Sequence, residues 1–326
     1  MDYFLVAAGL TLLVLSGDGL VRGAVSLSQR LGVPPLAIGL TVVAFGTSAP
    51  ELVVGIDGVV AGVPTLTLGN VVGSNTANIL LVIGVPALIQ PIRFATPGLT
   101  RNVLYMLGAS MLVIALGATG AIAYWHGFIL VTLLGVFIVE SFYRARRDPR
   151  LAAETLSDFD ALPLRPYDWP VTLLLVVGGL AGLILGAHWL IDGSVAIARR
   201  LGVPEAFIGL TLVAIGTSLP ELATALIAAF KGHADVAVGN VVGSNIFNLM
   251  GILGLSSLFG RIPVTPQFLA FDFWVMLAAS LVLLPLALRR GVLGRLGGLA
   301  FIVIYVSYIA WLAHGVPAIG GNLHGV

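Results

Sequence analysis

Two stretches of an otherwise apolar chain place carboxylate, hydroxyl and amide side chains at the same short spacing. Residues 31–51, LGVPPLAIGLTVVAFGTSAPE, match residues 201–221, LGVPEAFIGLTLVAIGTSLPE, at 15 of 21 positions. A second pair, GNVVGSNTANI at 69–79 and GNVVGSNIFNL at 239–249, has the same offset of 170 residues. Because both pairs share one offset, the chain contains a duplicated unit.

The GTSxPE block of each unit has the groups of a cation site. Its proline has no N–H, so the carbonyl four residues earlier, Gly46 or Gly216, loses its helical donor. A broken helix at matching positions of two halves indicates a transport site, because irregular backbone inside a membrane must line a cavity or be buried. The polar side chains of the two blocks share one helix face if helical geometry continues through the motif. They are Thr47, Ser48 and Glu51, and Thr217, Ser218 and Glu221.

The GNxxGSN block adds hydroxyl and amide oxygens. Its polar residues are Ser74, Asn75 and Asn78 in the first unit and Ser244, Asn245 and Asn248 in the second. Together the blocks supply oxygen and no thiolate or imidazole, a set that suits Ca²⁺ with its 6–8 oxygen ligands, and Na⁺ by the same logic. Two alternatives stay open: the hydroxyls can satisfy backbone carbonyls near the prolines, and the asparagines can join helices. Asn75 and Asn245 are interpreted as structural.

Composition predicts a membrane protein. The chain has 326 residues, of which 58% are apolar and 10% are charged, and its mean hydropathy is +1.06; soluble domains have about 45–50% apolar and about 25% charged residues. A net charge of +1 gives no indication of nucleic-acid binding. The chain has no cysteine, which excludes thiolate metal sites. No HExxH, P-loop or GxSxG motif occurs, so we expect neither an enzyme nor a bound cofactor.

The elements that must position these residues are apolar stretches long enough to cross a bilayer, which takes about 20 residues. Ten such spans are predicted, and the N-terminal one is interpreted as a helix rather than a signal peptide. Their ranges are 3–27, 36–62, 67–89, 102–118, 122–143, 169–197, 206–231, 237–259, 268–288 and 294–314. The long hydrophilic stretch 144–168 divides them into five and five.

The predicted fold is an all-α integral membrane protein of ten transmembrane helices in two inverted repeats. Each half has an odd number of spans, so the two copies enter the membrane from opposite sides, with their broken helices meeting at one central site. The first five-helix repeat is 1–143, with its most similar part at 31–88. A linker at 144–168 leads to the second five-helix repeat, 169–326, with its most similar part at 201–258.

Arginine and lysine residues predict the orientation. With the 144–168 loop in the cytoplasm, thirteen basic residues lie inside and three lie outside, which places both termini outside the cell membrane. The outer residues are Arg199, Arg200 and Arg261. Arg200 is the repeat equivalent of Arg30, so an inverted duplication must place one of the two on the unfavoured side.

Three smaller features within the predicted helices concern packing. Asp18 and Arg22 on the first helix, and their equivalents His188 and Asp192 on the sixth, predict ion pairs between residues four apart. A run of Gly178, Gly182 and Gly186 predicts a close-packing surface. Asp57 lies six residues after Glu51, and its counterpart is Ile227, so it breaks the symmetry of the repeats.

At the GTSxPE and GNxxGSN blocks the chain resembles the calcium/cation antiporter family, which contains the sodium/calcium exchangers. The lead-in LSGDGLVRGAVSLSQRLGVP at 15–34 also resembles that family's first helix. The resemblance implies that Glu51 and Glu221 are the central ligands and that Asn78 and Asn248 complete the centre. Some members have an aspartate where this chain has Asn248. Flanking oxygens would come from Thr47, Ser48, Ser74, Thr217, Ser218 and Ser244, and backbone carbonyls from Ala44 and Ala214.

The residues and the resemblance together predict a secondary antiporter that exchanges Na⁺ for Ca²⁺ by alternating access. A proton-driven antiporter for Ca²⁺ or another cation is the close alternative, because the same carboxylates can accept protons. A passive cation channel is the distant alternative, because inverted repeats also build pores. The expected partners are therefore Ca²⁺, Na⁺, H⁺ in the alternative mechanism, and the lipid bilayer.

Overall fold

The computed structural model describes residues 2–147, 166–201 and 214–315, and these residues are almost entirely helical. Twelve helices follow one another along the described chain. They are α1 Asp2–Leu31, α2 Pro35–Thr47, α3 Ala49–Val60, α4 Pro64–Ile89, α5 Leu99–Gly117, α6 Tyr124–Arg147, α7 Trp169–Arg200, α8 Ala214–Thr217, α9 Leu219–Phe230, α10 Ala234–Phe259, α11 Phe268–Leu288 and α12 Arg295–Gly315.

Eight of these helices are long and apolar enough to span a membrane, namely α1, α4, α5, α6, α7, α10, α11 and α12. Taken together, α2 and α3 are long and apolar enough for a ninth span, with a bend of 45° between the two parts. The prediction of an all-helical, multi-pass membrane protein is confirmed. The predicted span 206–231 lies partly outside the described residues, which contain its later portion as α8 and α9, so the count of ten stays a prediction.

Within the described ranges, four strands of two residues each join the ends of helices from the two halves of the chain. They are β1 Ile92–Arg93, β2 Ala121–Ile122, β3 Ile262–Pro263 and β4 Val292–Leu293. β1 pairs with β4 and β2 pairs with β3, both antiparallel. Each ladder therefore holds a loop of the first half against a loop of the second.

The helices α1 and α7 pack against each other along most of their length. Glycines permit this approach: a Cβ on Gly186 would lie 3.0 Å from the Gly9 carbonyl oxygen, and a Cβ on Gly9 would lie 2.8 Å from the Gly186 carbonyl oxygen. Of the predicted glycine run, Gly182 and Gly186 face α1. Gly178 does not, because its nearest neighbour is Leu174 on its own helix, and Gly179 contacts α1 instead.

Ion pairs connect α1 and α7 at both ends. Arg200 lies 2.7 Å from Asp2 at one end. At the other end, Arg30 lies 3.4 Å from Asp168 and donates to the Tyr167 carbonyl. Polar contacts therefore hold α1 and α7 together at both ends, and close packing holds them together along the middle.

The two predicted pairs between residues four apart on these helices are both present. Arg22 lies 2.7 Å from Asp18, and His188 lies 3.2 Å from Asp192. Asp18 also pairs with Lys231, just after α9, so α1 is joined to the second broken helix by charge.

The central helices are α4 and α10, which carry the two GNxxGSN blocks. The apolar part of α10 is buried along its whole length, and most of that of α4 is buried too. Buried polar groups are almost always hydrogen-bonded. The hydroxyls and amides of these helices must therefore find partners inside the protein.

Candidate functional site

The two GTSxPE blocks interrupt their helices at the serine. Ser48 has φ −85° and ψ 8°, and Ser218 has φ −87° and ψ 5°, both between the helical and extended regions. Pro50 and Pro220 then lie in the first turn of α3 and α9. Their missing N–H prevents the preceding helix from continuing, but it costs the new helix no hydrogen bond. The predicted interruption of the first span is confirmed by its 45° bend.

The bend changes the predicted arrangement of the polar residues. Helical geometry does not continue through the motif, so Thr47 ends α2, Ser48 lies at the break, and Glu51 lies in the first turn of α3. The first turn of a helix has unpaired N–H groups and the positive end of the helix dipole. The break therefore places Glu51 and Glu221 where a buried carboxylate is best tolerated.

The two glutamates are completely buried, with exposed fractions of 1% for Glu51 and 0% for Glu221. The halves meet here, because the Ser48 hydroxyl donates to Oε1 of Glu221 at 3.0 Å. Oε2 of each glutamate has no hydrogen-bond partner among the described residues. Within the same residues no group of three or more His, Cys, Asp or Glu side chains is placed to hold a metal. Any cation bound here must therefore also use neutral oxygens.

Four asparagines of α4 and α10 hydrogen-bond to one another in a reciprocal pattern. Asn75 Nδ2 donates to the Asn245 carbonyl at 3.3 Å, and Asn245 Nδ2 donates to the Asn75 carbonyl at 3.2 Å. Asn78 Nδ2 donates to Oδ1 of Asn245 at 3.1 Å, and Asn248 Nδ2 donates to Oδ1 of Asn75 at 3.0 Å. Asn75 and Asn245 are interpreted from the sequence as structural. Their side-chain oxygens accept the amide N–H groups of Asn248 and Asn78 and so fix the orientation of those two amides.

In this network all four amide nitrogens donate hydrogen bonds, but two of the four amide oxygens accept none. Oδ1 of Asn78 and Oδ1 of Asn248 are buried and accept no hydrogen bond from the described residues. An unpaired buried acceptor is costly, of the order of 1–3 kcal/mol. The bonding therefore fixes the amides in an orientation that presents oxygen, which is the donor atom that hard cations prefer.

Both of these asparagines lie in wide helical turns, in which backbone hydrogen bonds span five residues instead of four. The turns are 78–82 in α4 and 247–252 in α10, and two more occur at 39–43 and 268–272. Such turns are rare and frequently occur at functional sites. They displace the helix axis locally, which changes where the asparagine side chains point.

The hydroxyls of the predicted set lie around the same centre. Thr47 Oγ1 donates to Oδ1 of Asn240 at 3.2 Å and lies 3.4 Å from the Ala44 carbonyl oxygen. Ser244 Oγ lies 3.5 Å from that same carbonyl oxygen, across the two halves. Ser74 is buried on α4, four residues before Asn78. The Ala44 carbonyl also accepts the Ser48 N–H at 3.1 Å, so part of its capacity is used.

The second GTSxPE block is described from Ala214 onward. Ser218 is buried, and its Oγ has no hydrogen-bond partner within the described ranges. Thr217 ends α8 and Ala214 begins it. The part of the repeat at 202–213 lies outside the described residues.

Sequence reasoning missed two asparagines. Asn240 accepts from Thr47, and Asn70 Nδ2 lies 3.4 Å from the Glu51 carbonyl oxygen. Both are the second residue of the GNVVGSN block, at the shared offset of 170. That repetition was available as a signal, but only the distance between helices shows what each amide contacts.

An apolar cavity of about 520 Å³ adjoins the site between α1, α2, α6, α7 and α10. Phe45 and Phe247 line it, and their rings lie 4.5 Å apart, beside the polar residues. Because its lining is apolar apart from Thr41, the cavity is unsuited to a hydrated cation. The polar centre, and not this larger space, is the candidate site.

The chain is similar to known proteins over nearly its whole length. A family model described as "Sodium/calcium exchanger protein" matches residues 1–143 and 171–313. The putative antiporter CaxA of Alkalimonas amylolytica is 37% identical over 94% of this chain and 96% of its own length. The sodium/calcium exchanger MaX1 of Methanosarcina acetivorans is 30% identical over 96% of this chain and 98% of its own length.

A solved structure shows the same fold. The sodium-calcium exchanger NCX_Mj, soaked with 2.5 mM Na⁺ and 0.1 mM Ca²⁺, matches with a TM-score of 0.82 at 30% identity. The match covers 95% of this chain and 98% of that one.

Proposed function

The chain belongs to the sodium/calcium exchanger family, and we propose that it exchanges Na⁺ for Ca²⁺ across the membrane by alternating access. The relatives are named as exchangers and antiporters, and none of those compared above is named as an enzyme. Cation antiport is thus the function that the family supports, and Na⁺ coupling is our proposal.

The observation that carries the proposal is a set of four buried oxygen atoms without hydrogen-bond partners among the described residues. They are Oε2 of Glu51 and of Glu221 and Oδ1 of Asn78 and of Asn248. Each half contributes one carboxylate and one amide. A dehydrated cation would supply the missing partner for all four, and Ca²⁺ and Na⁺ prefer such oxygen ligands.

We propose that these four side chains are the central ligands. Ser48 orients Glu221, and Asn75 and Asn245 orient the two amides, through the hydrogen bonds described above. Flanking oxygens at separate ion positions are proposed for Thr47, Ser48, Ser74, Thr217, Ser218, Ser244 and the carbonyls of Ala44 and Ala214. Ser218 is the best supported of these because its buried hydroxyl has no partner in the described part of the chain.

Competition between the two ions follows from the charge of the site. With both glutamates ionised the centre carries about −2, which one Ca²⁺ balances and three Na⁺ would exceed. The two carboxylates also act electrostatically on each other, so emptying the site is unfavourable. Both ions need the same oxygens, and one therefore leaves when the other binds, which is exchange.

Two inverted five-helix repeats, 1–143 and 169–326, remain our proposal for the architecture, with broken helices at their junction. The reciprocal bonds between Asn75 and Asn245 support it, because residues 170 apart exchange equivalent contacts. We place both termini outside the cell membrane and the 144–168 loop in the cytoplasm. A cysteine introduced at position 155 of this cysteine-free chain should resist an impermeant thiol reagent added outside intact cells, and rapid labelling there would reverse the orientation.

Calcium uptake into proteoliposomes tests the function. An outward-directed sodium gradient should drive Ca²⁺ uptake, and a proton gradient of equal size without sodium should not. Uptake driven by protons alone would assign the proton-coupled mechanism. Uptake that persists with neither gradient, down the calcium gradient, would assign a channel.

A further inference from the structure

The turn that follows α11 has an unusual residue at its left-handed position. Gly291 N–H donates to the Leu286 carbonyl at 2.8 Å, and Arg290 N–H donates to the Ala287 carbonyl at 3.4 Å. This pair of bonds is the Schellman motif that closes many helices, and its left-handed residue is usually glycine. Here that residue is Arg290, with φ 49°.

In the part of the chain that the structure describes, three other helix ends close with the same pair of bonds and use glycine. They are at Gly32, Gly62 and Gly232, with φ of 64°, 79° and 78°. Among the described residues Arg290 is the one non-glycine residue with positive φ. A Cβ in this conformation is sterically unfavourable, and observed backbone strain of this kind points to a function for the side chain.

The turn lies beside other arginines. β1 pairs with β4 so that Arg93 lies opposite Val292, and Phe94 N–H donates to the Gly291 carbonyl at 2.9 Å. Arg289 and Arg295 flank the strand on either side. Arg93, Arg289, Arg290 and Arg295 are all exposed, and we call them the arginine ladder. The segments 89–101 and 287–296 that meet here contain no Asp or Glu.

Large apolar side chains alternate with these arginines on the surface. Leu288, Val292 and Leu296 are 62%, 52% and 84% exposed. The segment connects two apolar spans, α11 and α12, so it lies at the boundary between hydrocarbon and water. A surface with arginines beside exposed leucines fits a lipid, because the leucines can contact acyl chains while the guanidinium groups reach the headgroup.

The connections around the matching pair of β2 and β3 also expose large apolar side chains, including Tyr124, Leu258 and Phe259, but they lack the arginine features. These connections contain one arginine, Arg261, and the turn before β2 uses Gly120, with φ 92°, at the left-handed position. The strained arginine and the cluster of arginines therefore occur together, beside the pair of β1 and β4 and not beside the pair of β2 and β3.

We propose that the arginine ladder binds the phosphate of an anionic phospholipid, with Leu288, Val292 and Leu296 against its acyl chains. The site is separate from the ion centre and does not depend on the ion-exchange proposal. The acidic residues of the 148–165 segment, Asp148, Glu154, Asp158 and Asp160, are a competing partner by charge. The exposed leucine and valine side chains favour lipid, because a charged loop gives them nothing apolar to contact.

Native mass spectrometry of the full chain in detergent, with phosphatidylglycerol and phosphatidylcholine of the same acyl chains, tests this site. We expect the wild type to retain phosphatidylglycerol preferentially. Arg290→Gly should weaken that binding about fivefold, because each basic residue near an anionic surface contributes about 1 kcal/mol. The same variant relieves the backbone, so its melting temperature in detergent alone should be unchanged or higher, which separates lost binding from misfolding.

The matched control is Arg261→Gln at the other ladder, which should bind phosphatidylglycerol as the wild type does. Equal loss of phosphatidylglycerol binding in both variants would indicate a general charge effect and would overturn the site. Unchanged binding in Arg290→Gly would also overturn it. Full displacement of the lipid by excess glycerol 3-phosphate would assign a soluble phosphate ligand instead. A last outcome concerns the acidic segment. The wild type would show no preference for phosphatidylglycerol, and the preference would appear only in a variant with four acidic residues changed to amides, namely Asp148, Glu154, Asp158 and Asp160. That result would mean that the arginine ladder binds the acidic segment and not lipid.

Discussion

The two broken helices have similar sequences and different surroundings. On α9, Ile227 packs against Gly17 of α1, and Lys231 just beyond the helix pairs with Asp18 of the same helix. On α3, the equivalent Asp57 is exposed, and so is Val53, at 58%. In the described residues α3 has no packing on α7 comparable to that of α9 on α1.

This difference shows how a duplicated site can be covered on one side and open on the other. The carboxylates themselves are equally buried, so the asymmetry lies in the helices that lead to them. Asp57 lies three residues before the end of α3, and its exposed side chain is expected to reach water, because a carboxylate facing lipid is costly. We infer that the α3 side is the accessible one and that packing α3 on α7 would have to bury or neutralise Asp57.

The largest effect is expected where the halves are equivalent. Glu51→Gln and Glu221→Gln should each lower sodium-driven calcium uptake at least about 100-fold, because each removes one of only two charges from a buried cation site. Uptake into proteoliposomes measures the effect, and an unchanged elution profile in detergent shows that the protein remains folded. Normal flux in either variant would remove that glutamate from the site.

A smaller effect is expected at the amides. Asn248→Asp should tighten Ca²⁺ binding about tenfold and make it sensitive to pH, because a third buried carboxylate attracts the cation and competes for protons. Calorimetry across pH measures both. Asn78→Asp is the matched control in the other half, and each substitution loses one amide donor to its partner asparagine. If affinity and pH profile stay unchanged, Asn248 lies outside the ion shell.

Thiol labelling tests the unequal sides directly. Because the chain has no cysteine, Asp57→Cys and Ile227→Cys each add a single reactive site. A thiol reagent present both inside and outside the proteoliposomes should modify position 57 at least about tenfold faster than position 227, as expected when the alternative state is a minor population. Equal rates would mean that both sides open to the same extent.

The sequence motifs located the glutamates and the amides because these residues repeat at one offset. The bend at Ser48 followed from Pro50, whose missing N–H is a local property. The contacts of Asn70 and Asn240, and the reciprocal bonding of Asn75 with Asn245, did not follow, because they depend on distances between separate helices. Asn70 on α4 contacts α3, Asn240 on α10 contacts α2, and the reciprocal pair joins α4 to α10. The wide turns at Asn78 and Asn248 also lack a sequence signal, since no proline or glycine marks their start.

The smallest effect on exchange is expected at His233, in the connection between α9 and α10. Burial, assisted by the Lys231 cation, lowers the pKa of His233 to about 4. The unfolded chain, in which histidine has a pKa of about 6.5, binds more protons below that pH, so stability should fall by about 1 kcal/mol from pH ~7.5 to ~5.5. His233→Val should flatten this dependence in thermal unfolding and leave exchange at neutral pH unchanged.

The counterpart of His233 in the first half is Val63, which is 50% exposed. Val63→His is therefore the control, and it should add little pH dependence because an exposed histidine keeps its ordinary pKa. A pH dependence that survives in His233→Val would assign the effect to another group.

The central claim is that both halves build one cation site. Calcium binding to the purified wild type, Glu51→Gln and Glu221→Gln, measured by calorimetry without sodium, tests it most directly. We predict one Ca²⁺ per chain for the wild type and no measurable binding for either variant. Retention of one Ca²⁺ per chain at near wild-type affinity in either variant would contradict a shared site.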